Sequence, residues 1–324
     1  MRTRELRARR REAYTLIELL VVISIIAILA SLTLAGVMKA LGRRPEVQTT
    51  DETKQMDGAV QQFMTKYDVP YVPSRIRLCY KYGQYTQANV PGSLDNESVT
   101  FMEKTIGKNV PGFVTTWSQT GIKWAPGFGA KGTEEETLEG HQCLVFFLGG
   151  IQTKDSNGVI SCNGFSSDPR KPDVPPAPGQ GIGPFFQFDS KRLSVPVPQV
   201  AGQVKYFAAY EDPYGKKQYY AYFSAFHGKG NEYNHFGSSD CASLGLWPYA
   251  ASAKTASSPL QFVNKNSWQI ICAGADGKFG PGTNLSGAAG VTPYYWNKNT
   301  AAQIPADGRD DQANFATGKL QFGE

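Results

Sequence analysis

Glu18 is the residue of this chain whose position most clearly demands chemistry. It is a carboxylate at the mouth of an apolar run, and the next charged residue is Lys39. A charge in that place is costly unless a cation or hydrogen-bond donors meet it. An arginine-rich head (Arg2, Arg4, Arg7, Arg9, Arg10, Arg11) lies just before it. The histidines His141, His227 and His235 are the other candidates for acid–base or metal chemistry. His227 and His235 flank Gly228-Lys229-Gly230-Asn231-Glu232, with Asp240 nearby. No metalloprotease motif, nucleophile elbow or phosphate loop accompanies them. They read as exposed loop histidines, and the chain reads as non-enzymatic.

The elements that position Glu18 follow from the run itself. Leu19 to Met38 carries no charge, and about 20 apolar residues is the length that crosses a bilayer as a helix. Such a helix closes its own backbone hydrogen bonds in lipid. Arginines before the span favour a cytoplasmic N-terminus, and Lys39, Arg43 and Arg44 beyond it reduce that asymmetry. A cleaved secretory signal peptide is one alternative, but the core is long and begins with a glutamate. A plain single-span anchor is another, and it leaves Glu18 without a role. Further on, Met56, Val60, Phe63 and Tyr67 recur at helical spacing and predict one buried face. Pro45 between the two stretches predicts a kink or a fresh start.

Ala13-Tyr14-Thr15-Leu16-Ile17-Glu18-Leu19-Leu20-Val21-Val22 resembles the class III leader junction of type IV prepilins and type II secretion pseudopilins. The resemblance implies cleavage between Ala13 and Tyr14 by a prepilin peptidase, then N-methylation of Tyr14. The family usually has Gly where this chain has Ala13. Glu18 falls on the family's assembly glutamate. In a staggered stack of helices, the Tyr14 ammonium of a neighbouring subunit would meet it. The implied partners are further copies of the chain, minor pseudopilins, the inner-membrane assembly platform and the peptidase.

A second resemblance lies near the other end. Gly274-Ala275-Asp276-Gly277, followed by Asp307-Gly308-Arg309-Asp310-Asp311, resembles the calcium loop of the major type II secretion pseudopilin. It implies a structural Ca²⁺ held by Asp276, Asp310 and Asp311, with Asp307 in reserve. Glycine-rich loops expose carbonyls, and Ca²⁺ takes six to eight oxygens. The segment between the two halves is longer than the family's and must loop out. The bland alternative is a pair of Asp-Gly turns and a solvated acidic cluster.

The remaining composition bounds the reading. The 33 Lys+Arg and 28 Asp+Glu fall to 27 and 26 once residues 1–13, with 6 Arg and 2 Glu, are set aside. A nearly neutral chain has no basic face for nucleic acid. The 34 Gly, 20 Pro and 12% aromatic residues predict a β-rich, loop-rich exported domain. Cys79, Cys143, Cys162, Cys241 and Cys272 are odd in number and contain no C-x-x-C pair. Proximity in sequence suggests Cys143 with Cys162 and Cys241 with Cys272, against buried free thiols as the equal alternative. A helix is expected near Glu97 to Ile106. His141 to Gly150 is a buried strand or a short core helix, which periodicity cannot separate. A hairpin turn is expected at Asp212-Pro213-Tyr214-Gly215, and a strand at Ser267 to Cys272.

The expected organisation is therefore a leader (1–13), a long helix (14–67, membrane part about 19–38) and a globular domain (68–324). That domain would carry a Pro/Gly-rich loop (168–184) and an acidic loop (273–311). The fold class is α+β: a long N-terminal helix, transmembrane then amphipathic, packed on an antiparallel sheet with an enlarged loop-rich C-terminal domain. The expected function is a filament-forming pseudopilin of a type II secretion system. It would sit in the inner membrane with a periplasmic C-terminal domain. A type IV pilus or minor pilin subunit with an adhesive tip domain is one alternative. A membrane-anchored binding protein or enzyme with a pilin-like leader is the other.

Overall fold

The computed structural model describes residues 15–174, 180–198, 203–252, 260–280, 282 and 306–320. It is a mixed helix-and-sheet structure, as the pattern of elements predicts. In chain order the elements are α1 (Leu16–Tyr67), β1 (Ile76–Cys79), α2 (Leu94–Lys104), α3 (Pro111–Gln119), β2 (Glu135–Leu138) and α4 (Gly140–Gly149). They continue with β3 (Gln152–Lys154), β4 (Ile160–Cys162), β5 (Leu193–Ser194), β6 (Ala209–Tyr210) and β7 (Ala221–Ser224). The last are β8 (Ala250–Ser252), β9 (Gln261–Phe262), β10 (Trp268–Cys272) and β11 (Gln312–Ala313). The chain forms two compact units, residues 1–47 and 48–324.

In the first unit, Leu16–Leu34 is long and apolar enough to cross a membrane. Its hydroxyls turn back onto its own backbone. Ser24 donates to the Leu20 carbonyl (2.8 Å) and Ser31 to that of Ile28 (2.8 Å). Thr33 donates to those of Leu29 and Ala30 (3.0 Å each). The apolar run therefore carries polar side chains without leaving their donors bare. α1 continues through Pro45, so no fresh helix starts there.

In the second unit, the C-terminal part of α1 buries Thr49, Thr53, Met56, Val60, Phe63 and Tyr67, the face its periodicity predicts. Phe63 meets Phe147 and Phe185 edge-on, with centroids 5.5 and 5.4 Å away. Polar clamps fix the register. Glu52 takes both arms of Arg192 (2.5 and 2.8 Å) and the Tyr220 hydroxyl (2.8 Å). Asp57 accepts from the Trp268 indole (2.8 Å) and from Asn314 (2.9 Å).

The largest sheet is three-stranded and antiparallel, in the order β11-β10-β7. β10 is buried along its whole length. Trp268, Ile270 and Cys272 face one apolar cluster with Met56, Phe63 and α4. Ile271 faces a second cluster with Tyr249, Leu246 and Phe262. Burial on both faces is why the strand does not alternate with exposed polar residues; its one polar side chain, Gln269, is buried and hydrogen-bonded to the Tyr249 and Val263 backbone. Among the described residues the other four sheets are two-stranded.

The run 141–150 is a helix, α4, buried all round. Glu139 and Gln142 form its capping box. At Gly140 a Cβ would overlap the Tyr222 carbonyl, so glycine lets α4 start directly against β7. α2 begins at a Ser93 cap that accepts from the Asn96 N–H (3.1 Å) and covers most of the expected 97–106 helix. The turn at 212–215 is present: the Asp212 N–H donates to the Gln218 carbonyl (2.8 Å), and Glu211 bridges Tyr219.

The cysteine pairs suggested by sequence proximity are corrected. All five thiols are free. Cys241 donates to the Tyr222 carbonyl (3.4 Å), Cys143 to that of Leu138 (3.8 Å), and Cys272 lies 3.7 Å from Asp212 Oδ2. Cys162 packs beside Gly149. Short separation in sequence put these residues on different elements, not opposite each other.

Candidate functional site

Ala13 and Tyr14 lie outside the described residues. Glu18 is in the first turn of α1, and the residue that holds it is Thr15. The Thr15 N–H donates to Glu18 Oε2 at 2.8 Å and its hydroxyl to the same oxygen at 3.0 Å. In return the Glu18 N–H reaches Thr15 Oγ1 at 3.3 Å. This is a reciprocal capping box, Thr15-x-x-Glu18, at the opening of an apolar helix. It satisfies backbone donors that no helical carbonyl reaches. It also places a negative charge where the helix dipole favours one. The candidate reading from sequence missed Thr15, although T-x-x-E before an apolar run is the signal that finds it. The arrangement can hold the carboxylate in one rotamer and present it at the N-terminal end of the helix. Glu18 accepts nothing else among the described residues.

The acidic candidates are brought together in part. The Asp276 N–H donates to Asp310 Oδ2 at 2.9 Å, and a Cβ at Gly274 would overlap the Asp310 carbonyl. Asp276 Oδ1 is occupied by the Lys278 N–H (2.8 Å) in an Asx turn. Asp311 is fully buried, and its Oδ2 accepts from the Tyr249 hydroxyl (2.6 Å) and the Gly280 N–H (3.1 Å). Among the described residues its Oδ1 has no partner. Burial drives the Asp311 carboxyl well above the ordinary carboxylate range. Tyr249 and Gly280 counter that shift, and the charges of Asp310 and Asp276 add to it. Asp307 is exposed, in the short turn Ala306–Gly308. Among the described residues no three His, Cys, Asp or Glu side chains converge closely enough to hold a metal. The donor that would suit a hard cation is the unpaired Oδ1 of Asp311.

The histidines divide. His141 is buried and stacked on Tyr219, and burial pushes its pKa down to about 3, so it is neutral. His227 and His235 both stack on Phe226 and pair with Glu97 (3.0 Å) and Glu232 (2.5 Å) respectively.

Residues 8–34 match the family model described as the prokaryotic N-terminal methylation motif. The match covers the last three arginines of the head, the Ala13–Tyr14 junction, the Thr15–Glu18 box and most of the apolar span. It supports a type IV pilin-like protein. No curated protein and no solved structure matches the chain. In a pilin-like protein the apolar helix near the N-terminus fits a membrane anchor.

Proposed function

We propose that this pilin-like chain is a structural filament subunit, the pseudopilin of a type II secretion system. It is cut before Tyr14, methylated on the new amine and polymerised through its N-terminal helix in the inner membrane. Its globular domain lies on the periplasmic side. The observation that carries the reading is the Thr15–Glu18 box inside the methylation motif. An anchor needs only the apolar run, whereas a carboxylate locked at the helix start suits a cationic neighbour in a bundle. The partners are further copies of the chain, minor pseudopilins, the assembly platform and the peptidase. No catalysis is assigned.

The acidic corner serves as a fastener in this reading; a Ca²⁺ at the unpaired oxygen of Asp311 would need Asp276 and Asp310 to close on it, since the three carboxylates do not converge among the described residues. The corner ties residues 274–280 to the 310–313 segment and so shapes the subunit surface. The size of the globular unit, residues 48–324, favours a second reading, a type IV pilus or minor pilin whose domain is a tip surface.

Glu18→Gln separates charge from capping, because Gln also completes a capping box. The variant is expected to insert into membranes at the normal level and to form no filaments by electron microscopy or cross-linking. Normal filaments from it would remove the ion-pairing role.

A further inference from the structure

A groove of about 410 Å³ runs between α2, residues 69–71 and the turn 226–229, a size within the range of ligand clefts, about 300–1,000 Å³. Its apolar lining is Val69, Pro70, Tyr71 and Phe101, and Tyr71 meets Phe101 edge-on with ring centroids 5.6 Å apart. The turn is pressed onto residues 69–71. At Gly228, with φ +69°, a Cβ would overlap the Pro70 carbonyl oxygen. His227 has φ +53°, in the left-handed region that few residues other than glycine adopt. Its Nε2 meets Glu97 Oε2 of α2 at 3.0 Å, and its ring lies edge-on to Tyr71 at 5.4 Å. Such a backbone persists only where its surroundings hold it, and it clusters at ligand sites. These contacts build the groove before a ligand arrives, which lowers the cost of binding.

The charges on the groove are unbalanced. Lys104, Lys229, Glu97 and His227 line it. Glu97 is taken up by His227, whereas Lys104 and Lys229 are exposed and make no ion pair among the described residues. Lys104 comes from the last turn of α2 and Lys229 from the end of the turn 226–229, so each element supplies one cation. An ammonium is a compact point charge that suits a carboxylate, and no arginine fork lines the groove to grip a phosphate at two oxygens. Nucleic acid calls for a broader basic face, and an anionic membrane surface for clusters of about four to eight Lys or Arg.

We propose that this groove docks an acidic peptide segment of a partner protein. An apolar side chain of the segment sits on the floor made by Tyr71 and Phe101, and carboxylates beside it meet Lys104 and Lys229. The apolar contact supplies burial, and the charges steer the segment and fix its register. A basic segment would meet two like charges and be rejected. The site lies in the globular unit and does not depend on the filament reading.

With only His141, His227 and His235 in the chain, ¹³C-labelled histidine rings give a readable probe, and His227 lines the groove. The full-length protein in detergent micelles, at constant pH and low salt, is titrated with a capped Glu-Leu-Glu peptide. Capped Gln-Leu-Gln and Glu-Ser-Glu peptides remove the charges and the apolar side chain in turn. The expected result is a saturable shift of the His227 ring with Glu-Leu-Glu that weakens as salt rises, with the buried His141 ring unmoved. Both control peptides are expected to bind more weakly. Lys104→Glu and Lys229→Glu are each expected to weaken binding about threefold, and the double variant about tenfold. An unchanged His141 signal certifies that the variants are folded. A His227 ring that ignores Glu-Leu-Glu, or responds as strongly to either control peptide, overturns the proposal. So does an unweakened response in the folded double variant. An equal response to inorganic phosphate or to a short oligothymidylate assigns the groove to anions at large or to nucleic acid, and overturns it as well.

Discussion

At the residue scale, two buried carboxylates make measurable claims. Asp311 presents an unpaired oxygen in a closed corner, and an unmet buried acceptor costs about 1–3 kcal/mol. If Ca²⁺ meets it, saturating metal adds about 2.7 kcal/mol at a hundred times Kd. The melting temperature of the protein in detergent should then fall on chelation and recover with Ca²⁺, and Asp311→Asn should abolish the difference. Identical melting curves with and without Ca²⁺ would reject the metal. Asp212 lies in the core beside Cys272, accepts from the Tyr214 N–H (3.0 Å), and is pushed up to about 6, chiefly by burial. Its folded value lies above its unfolded one. The buried charge is therefore a cost at pH 7 that disappears as pH falls through 6 towards 4. His141 works in the opposite sense: it must stay neutral in the fold, so stability is lost as pH falls below about 6.5. Asp212→Asn isolates the first effect. Its stability relative to wild type should be greater at pH 7.5 than at pH 4.5, by about 1–2 kcal/mol on the scale of one to two pKa units. A difference that is flat with pH would contradict the assignment.

At the element scale, the second half of α1 is the part of the fold most legible in the sequence. Met56, Val60, Phe63 and Tyr67 all fall on the buried face, because a helix against a core must repeat every three or four residues. The structure extends that face back to Thr49 and Thr53, which their polarity hid. Phe63 is fully buried against Phe147 and Phe185, so Phe63→Ala should cost about 3–5 kcal/mol in chemical unfolding. Val204→Ala, at an exposed site, should stay within about 0.5 kcal/mol. Equal effects from the two would mean that α1 does not pack as described. The run 141–150 was ambiguous, since an element buried on every side has no periodicity to read. Gly140 against β7 and the Glu139–Gln142 box decide it as a helix. The cysteines misled because closeness along the chain is not closeness in space. Ser74 and Arg75 carry no sequence signal, as only the folded chain brings them up to Ser238, Ser239 and Asp240.

At the scale of the whole molecule, chemistry legible in the sequence is concentrated at the ends. The N-terminal match stops at residue 34, and the globular unit from residue 48 must be read from its own packing. Among its described residues that unit has a three-stranded sheet and four two-stranded ones, with single hydrogen bonds and ring contacts joining distant segments. Short strands of two to five residues leave little pattern for sequence reading. The Thr15–Glu18 box is different: one local motif gives the helix start, the capping pair and the charge that an assembly of helices would use. The central claim is that this box belongs to a processed filament subunit. The most direct test is the intact mass and N-terminal peptide of the protein from native membranes. The account predicts a chain that begins at N-methylated Tyr14. A chain that keeps Met1 to Ala13, or one cut beyond residue 30, would contradict it.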